Sequence, residues 1–298
     1  MLNRVLNPLI FDFPHPSPLG DRVREKIRGE NGKFITRSFP DGETYLRVES
    51  SVAQRNVIIN ASLVRPNDGF LNLLFLADTL RSQKAKRIGL LAPYLAYMRQ
   101  DKVFQKGEAL TSKTFATLLS AYFDELITID PHLHRYHTLS KIYSIPTTVL
   151  HAAPLISQWI HKNVQNPFVM GPDAESVQWV KEVANDFPFI VLNKVRHADG
   201  HVEIAWPSME GLEEKTPVLV DDIISSGGTL LQAIHHLKSV STKAPLCVAI
   251  HPIFAGNSYE KLREAGVQQI VTCNTIPHVS NHIDVSPLLA SALKTNLL

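Results

Sequence analysis

Val218-Leu219-Val220-Asp221-Asp222-Ile223-Ile224-Ser225-Ser226-Gly227-Gly228-Thr229 joins an apolar strand, two acids and a small-residue loop. The apolar run reads as a buried strand, and Leu230-Leu231-Gln232-Ala233-Ile234-His235-His236-Leu237 has the apolar spacing of a helix, so the loop lies between strand and helix. Ser225, Ser226 and Thr229 offer hydroxyls, while Gly227 and Gly228 let backbone N–H groups approach an anion at the positive end of the helix. Asp221 and Asp222 fall at the carboxyl end of the strand, where open α/β sheets bind ligands, and carboxylates accept well from vicinal hydroxyls. Phosphate at one end and diol at the other describe a ribose 5-phosphate. Taken alone, the same residues also make an ordinary turn with an N-cap.

Outward from this segment, strand-like and helix-like runs alternate, which implies an α/β architecture with mostly parallel sheets. Strands are expected at 87–92, 125–130, 168–171, 189–192, 218–222 and 246–251, and helices at 68–83, capped by Asn67 or Asp68, at 112–122 and from Leu155. Two further runs, 33–39 and 44–48, flank Pro40-Asp41-Gly42-Glu43 and read as an antiparallel hairpin. A break near Tyr143-Ser144-Ile145-Pro146 separates two domains, 1–146 and 147–284, within a chain of 298 residues.

Bulk properties exclude several classes. Lys and Arg number 30 against 28 Asp and Glu, and a net charge of +2 gives no reason to invoke nucleic acid or a membrane surface. No apolar run approaches the roughly 18 residues of a membrane span. Cys247 and Cys273 sit in apolar stretches without metal-ligand spacing and read as buried thiols. Pro8, Pro14, Pro16 and Pro18 interrupt any signal-peptide pattern, so a cytoplasmic protein is expected.

Three polar clusters follow strands and so fall at the ligand edge. In Arg99-Gln100-Asp101-Lys102, the guanidinium can neutralise phosphate oxygens and the amide can both donate to and accept from a purine edge. Asp130-Pro131-His132 ends another strand, and its imidazole can hold a divalent ion or a structural hydrogen bond. Lys194 and Arg196 follow a third; alternate residues of an extended loop point the same way, so both could close over one polyphosphate. Each cluster, alone, also reads as a solvated loop.

Together these segments resemble the ribose-phosphate diphosphokinase family, also called phosphoribosyl-pyrophosphate synthetase, from about Phe34 to Val285-Ser286-Pro287-Leu288-Leu289-Ala290. The resemblance implies two phosphoribosyltransferase-like domains, each a mostly parallel sheet flanked by helices, with a helix at 285–298 returning to the first. It implies an ATP site of Phe39, Asp41, Glu43, Arg99, Gln100 and Asp101, with the Phe39 turn reaching a neighbouring subunit. It further implies a ribose 5-phosphate site of Asp221, Asp222, Ser225, Ser226, Gly227, Gly228 and Thr229, and catalytic Lys194 and Arg196. Magnesium is implied at His132 and at Asp173 of Gly171-Pro172-Asp173-Ala174-Glu175-Ser176. Magnesium prefers oxygen and keeps much of its water, so one imidazole beside substrate phosphates is an unusual set. Glu175 and Ser176 replace two family glycines, and the short Gln105-Lys106-Gly107-Glu108 region adds to a picture of divergence.

The implied reaction moves the β,γ-diphosphoryl group of ATP to the 1-hydroxyl of ribose 5-phosphate, in a homo-oligomer, dimer or hexamer, whose subunits share the ATP site. Two rivals stand beside it. A phosphoribosyltransferase would use the same sugar-phosphate loop without Arg99, Gln100 or the Phe39 turn, and a catalytically silent regulatory subunit would bind ligand without turnover.

Overall fold

The computed structural model describes residues 7–133, 135–171, 177–196, 202–205, 212 and 214–296. They form two units, Met1–Leu150 with Val285–Leu298, and His151–Asp284. In the first, β1 (Leu9–Asp12), α1 (Pro18–Ile27) and β2 (Glu30–Asn31) precede a hairpin of β3 (Phe34–Ser38) and β4 (Thr44–Val48). Then come β5 (Asn56–Asn60), α2 (Phe70–Ser82), β6 (Arg87–Ala92), α3 (Thr111–Tyr122), β7 (Glu125–Ile129) and β8 (Thr147–Leu150). The six-stranded sheet runs β2-β1-β5-β6-β7-β8 with every neighbouring pair parallel.

The second unit comprises α4 (Ala153–Asn163), β9 (Pro167–Gly171), α5 (Val177–Ala184), β10 (Phe189–Val191), and an antiparallel pair β11 (Asn193–Arg196) and β12 (Val202–Ala205). It continues with β13 (Thr216–Ile224), α6 (Gly228–Val240), β14 (Leu246–Pro252), α7 (Ser258–Glu264), β15 (Gln269–Cys273) and β16 (Asn281–Ile283). Its sheet, β10-β9-β13-β14-β15-β16, is again all parallel. Counted within each unit, the strand order is the same, and each unit inserts one antiparallel hairpin between its second and third sheet strands.

Parallel strands covered on both faces carry near-continuous apolar runs, as in β7 and β14, where every residue is buried. Phe11, Ile59, Leu73, Leu76, Leu80, Leu90 and Leu119 are buried to 1% exposure or less in the first core. Each side chain of this size contributes roughly 1.5–3 kcal/mol on burial. Helix α1 begins where Ser17 Oγ accepts from the Gly20 N–H at 3.0 Å, with Pro18 in the first turn, and stops at Arg28 in the left-handed region.

The helix α8 (Ser286–Asn296) lies in the first unit, on α1 and β8. Asn296 fixes its end, accepting from Arg87 Nη1 through its carbonyl at 2.9 Å and donating through Nδ2 to Thr148 Oγ1 at 2.8 Å. Conversely α4, which follows β8, lies in the second unit against α5 and β16. The helix after each sheet's sixth strand thus belongs to the other unit.

Two sequence expectations move. The first unit extends to Leu150 rather than 146, because 147–150 is a parallel sheet strand whose register pairs Thr147 with Leu126. Neither Asn67 nor Asp68 caps α2: Pro66–Asp68 forms a 3-10 turn, and Gly69 precedes the helix with no side-chain cap.

Candidate active site

At the carboxyl edge of the second unit's sheet, β13 leads through a short turn into α6. Asp221 and Asp222 are half-buried within β13, which runs on through Ile223 and Ile224, so the strand end lies two residues beyond the acids. The Asp222 N–H donates to Asp221 Oδ1 at 2.9 Å. Ser225 and Ser226 make the turn, and Gly227 is the N-cap of α6 at φ 71°, a left-handed conformation that glycine adopts without strain. Gly228 and Thr229 are the first helical residues rather than loop, and no side chain caps the helix. Its first-turn N–H groups therefore present the positive end of a 13-residue helix.

The turn is braced from behind by residues that sequence patterning missed. The Ile224 carbonyl accepts from the N–H groups of Ile253 and Phe254 at 3.1 and 2.9 Å, and the Ser225 carbonyl accepts from Ala255 N–H at 3.1 Å and Ser258 Oγ at 2.8 Å. Phe254 packs in turn against Tyr259 and His278, with ring centroids 5.1 and 4.5 Å away. Burial holds the His278 imidazole below its ordinary pKa, opposed by the Glu260 charge, and its Nδ1 accepts from Ser280 N–H at 3.2 Å. Beneath the acids, burial and then the Asp221 charge push the Cys247 thiol up to about 12, so it is inert as a nucleophile.

Lys194 and Arg196 lie on strand β11 rather than on an extended loop: in its register with β12, Lys194 faces Ile204 and Arg196 faces Val202. Asp173, Glu175 and Ser176 lie outside the described residues.

In the first unit, Arg99 is exposed, Gln100 half-buried and Asp101 buried, following β6. Helix α3 fixes Gln100: Thr111 Oγ1 donates to its Oε1 at 3.0 Å, and Ser112 N–H donates to its carbonyl at 3.4 Å. The Gln100 amide nitrogen is then the end left to donate. Asp101, with 2% of its side chain exposed, pairs with Arg135 Nη1 at 2.7 Å. Thirty-four positions separate the two residues, so no local pattern could reveal the pair. His132 is half-buried after β7, just beyond Asp130, whose φ of 33° is strained for a residue with a Cβ.

The hairpin turn carries exposed Phe39, Asp41 and Glu43. Phe39 N–H donates to the Glu43 carbonyl at 2.7 Å, Gly42 takes φ 92°, and Glu43 N–H donates to Asp41 Oδ1 at 3.2 Å. Arg37 lies 5.1 Å from the Phe39 ring centroid and 4.5 Å from that of Tyr45, so the aromatic face is held in place. Among the described residues, no helix is long and apolar enough to cross a membrane.

Comparison with known proteins places this arrangement. A family profile described as the N-terminal domain of ribose phosphate pyrophosphokinase matches residues 9–122, and one described as a phosphoribosyl transferase domain matches 138–288. Ribose-phosphate pyrophosphokinase of Sulfurisphaera tokodaii is 36% identical over 266 residues, 87% of this chain and 90% of that protein. The protein of the same name from Sulfolobus acidocaldarius is 34% identical over 280 residues, 91% of this chain and 95% of its own. The crystal structure of phosphoribosylpyrophosphate synthetase from Mycobacterium smegmatis shares the fold, with a TM-score of 0.84 over 97% of this chain and 98% of that one, at 23% identity. The chain belongs to the ribose-phosphate pyrophosphokinase family.

Proposed function

We propose that the protein transfers the β,γ-diphosphoryl group of ATP to the 1-hydroxyl of ribose 5-phosphate, giving 5-phosphoribosyl 1-diphosphate and AMP. The observation that carries this reading is the start of α6 at left-handed Gly227, with no side-chain cap, at the end of the strand that carries Asp221 and Asp222. First-turn N–H groups with the Ser225, Ser226 and Thr229 hydroxyls would hold the 5-phosphate, and Asp221 and Asp222 would accept from the ribose hydroxyls.

Arg99, Gln100 and Asp101 form the nucleotide side, Arg99 through charge and Gln100 through its amide. The exposed Phe39, Asp41 and Glu43 would serve a neighbouring copy, making the working unit a homo-oligomer. In the reaction the 1-hydroxyl oxygen attacks the β-phosphorus, the bond from that phosphorus to the α,β-bridging oxygen breaks, and the hydroxyl proton passes to water. Positioning and charge neutralisation dominate such a transfer, so no side-chain nucleophile is needed. Lys194 and Arg196 would stabilise charge on the transferred group and on leaving AMP.

Magnesium prefers oxygen, so at the end of β7 the single imidazole of His132 would serve it only beside oxygens from substrate phosphates. Among the described residues no cluster of three or more His, Cys, Asp or Glu gathers to cage a cation. A sparse set suits an ion that keeps its water and takes oxygens from substrate phosphates. His132 would hold it, with Asp173, and the ion would supply neutralisation of polyphosphate charge.

The test supplies ATP, ribose 5-phosphate and magnesium to the purified protein and identifies products by mass. AMP and the diphosphorylated sugar should appear only when all three are present, and chelation by EDTA should abolish both. Pyrophosphate release from the preformed sugar diphosphate on adding a nucleobase, with no AMP from ATP, would replace this reading with a phosphoribosyltransferase.

A further inference from the structure

The segment after Arg99 and Gln100 is an exposed arm, 102–108, stiffened from within. Glu108 Oε2 accepts from the N–H groups of Phe104 and Gln105 at 2.7 and 3.1 Å, and Gly107 at φ 96° makes the turn that brings the carboxylate back. Phe104 at its tip is 62% exposed. Arg135, from the loop after β7, joins the arm to the body of the unit. One side of its guanidinium meets the buried Asp101 carboxylate at 2.7 Å, and the group lies 5.1 Å from the Phe104 ring centroid. Lys102 adds a second cation 5.8 Å from the same ring.

We propose that Arg135 is the positioning residue of the nucleotide side, a clamp that holds Asp101 and Phe104 at once and so sets Arg99 and Gln100 in register for ATP. The proposal rests on the nucleotide reading of Arg99 and Gln100 given above. Its physical basis is the asymmetry of the pair: Asp101 has 2% of its side chain exposed and Arg135 43%. A carboxylate that deeply buried cannot lose its cation and stay where it is, because an uncompensated buried charge is strongly unfavourable. Without Arg135 the Asp101 side chain swings toward water or takes up a proton, and the chain that carries Arg99 and Gln100 keeps only its bonds to α3. A misplacement of about 1 Å at a binding group can cost on the order of 100-fold in rate. Because Arg135 and His132 share one loop, the clamp also ties the nucleotide segment after β6 to the edge of β7.

Two independent readouts test the clamp. In steady-state kinetics, Arg135→Gln should raise KM for ATP about tenfold or more while KM for ribose 5-phosphate stays within twofold, and Arg135→Lys should recover most of that loss. Adding Arg135→Gln to Asp101→Asn should cost little more than Asp101→Asn alone; multiplicative effects, or equal changes in both KM values, would overturn the clamp. In hydrogen exchange, which needs no turnover, Arg135→Gln should speed exchange at the Phe104 and Gln105 amides at least tenfold. Unchanged exchange there overturns the clamp even in an active enzyme, whereas a wild-type protein that forms no AMP overturns the proposed reaction and leaves the exchange result to decide the clamp.

Discussion

The third sheet strand of each unit occupies the same place in the same strand order, but the turns that leave it differ in chemistry. From β13 the chain passes through Ser225 and Ser226 to a left-handed glycine that opens α6. From β5 it passes through Ser62, Leu63 and Val64 to a 3-10 turn at Pro66–Asp68, tied by an Arg65 Nε to Asp68 contact of 3.0 Å. Where the second unit has this serine and glycine turn, the first has a cavity of about 430 Å³ with Phe13, Leu63, Pro66 and Phe70 in its lining. The lesson is that topology supplies the position and the turn residues supply the chemistry. In the first unit the polar clusters Arg99-Gln100-Asp101 and Asp130-Pro131-His132 lie one and two strands along, after β6 and β7.

The largest test of that division replaces both acids of the second unit. Asp221→Asn with Asp222→Asn should lower kcat/KM for ribose 5-phosphate about 1000-fold, roughly 4 kcal/mol of barrier, with the urea midpoint nearly unchanged. A loss below about tenfold would mean that the sugar is held elsewhere. Next is a structural change in the first unit. A Cβ on Gly20 would lie 1.7 Å from Asp12 Oδ1, and that carboxylate is buried against Asn60 Nδ2 at 2.6 Å and Arg24 Nη1 at 3.2 Å. Gly20→Ala should cost about 2–3 kcal/mol in urea unfolding. If it is neutral, the packing of α1 onto β1 is looser than described.

Smaller effects sharpen the hairpin and the brace. Lys194→Ala should lower turnover by at least tenfold, about 1.4 kcal/mol, and a smaller change would remove Lys194 from the catalytic set. The smallest effect concerns pH. His278 has a folded pKa below its ordinary 6.5, caused by burial, so the unfolded chain takes up its proton first as pH falls. Its contribution is therefore full above about 6.5 and declines below it. Thermal melts between pH 7.5 and 5 should show His278→Gln flattening part of the acid-side decline; an identical pH profile would show that His278 does not titrate there.

Legibility from sequence followed the physics of each element. Strand β6 was readable to the residue because its apolar run stops at Pro93, whereas β13, expected over 218–222, runs two residues further at each end, through Thr216 and Ile224. Strand β1 was hidden: four residues followed by Pro14, Pro16 and Pro18 carry too little period. The candidate site was readable where ligand chemistry demands unusual local composition, as at Gly227 and Gly228 or Arg99 and Gln100. It was unreadable where support comes from distant chain, as with Arg135 behind Asp101 or Phe254, Tyr259 and His278 behind Ser225. Long-range partners leave no spacing to detect.

The crossed helices bear on how the molecule is made. Strands β1 to β8 leave the ribosome first, but α8, which covers α1 and β8, is not available until the entire second unit has been translated. At about 5–20 residues per second the interval is roughly seven to thirty seconds. During it the first sheet must wait with one flank uncovered, while the second unit receives α4 before its own first strand appears. Synthesis therefore delivers the second unit's first helix before its sheet, and the first unit's last helix well after its sheet.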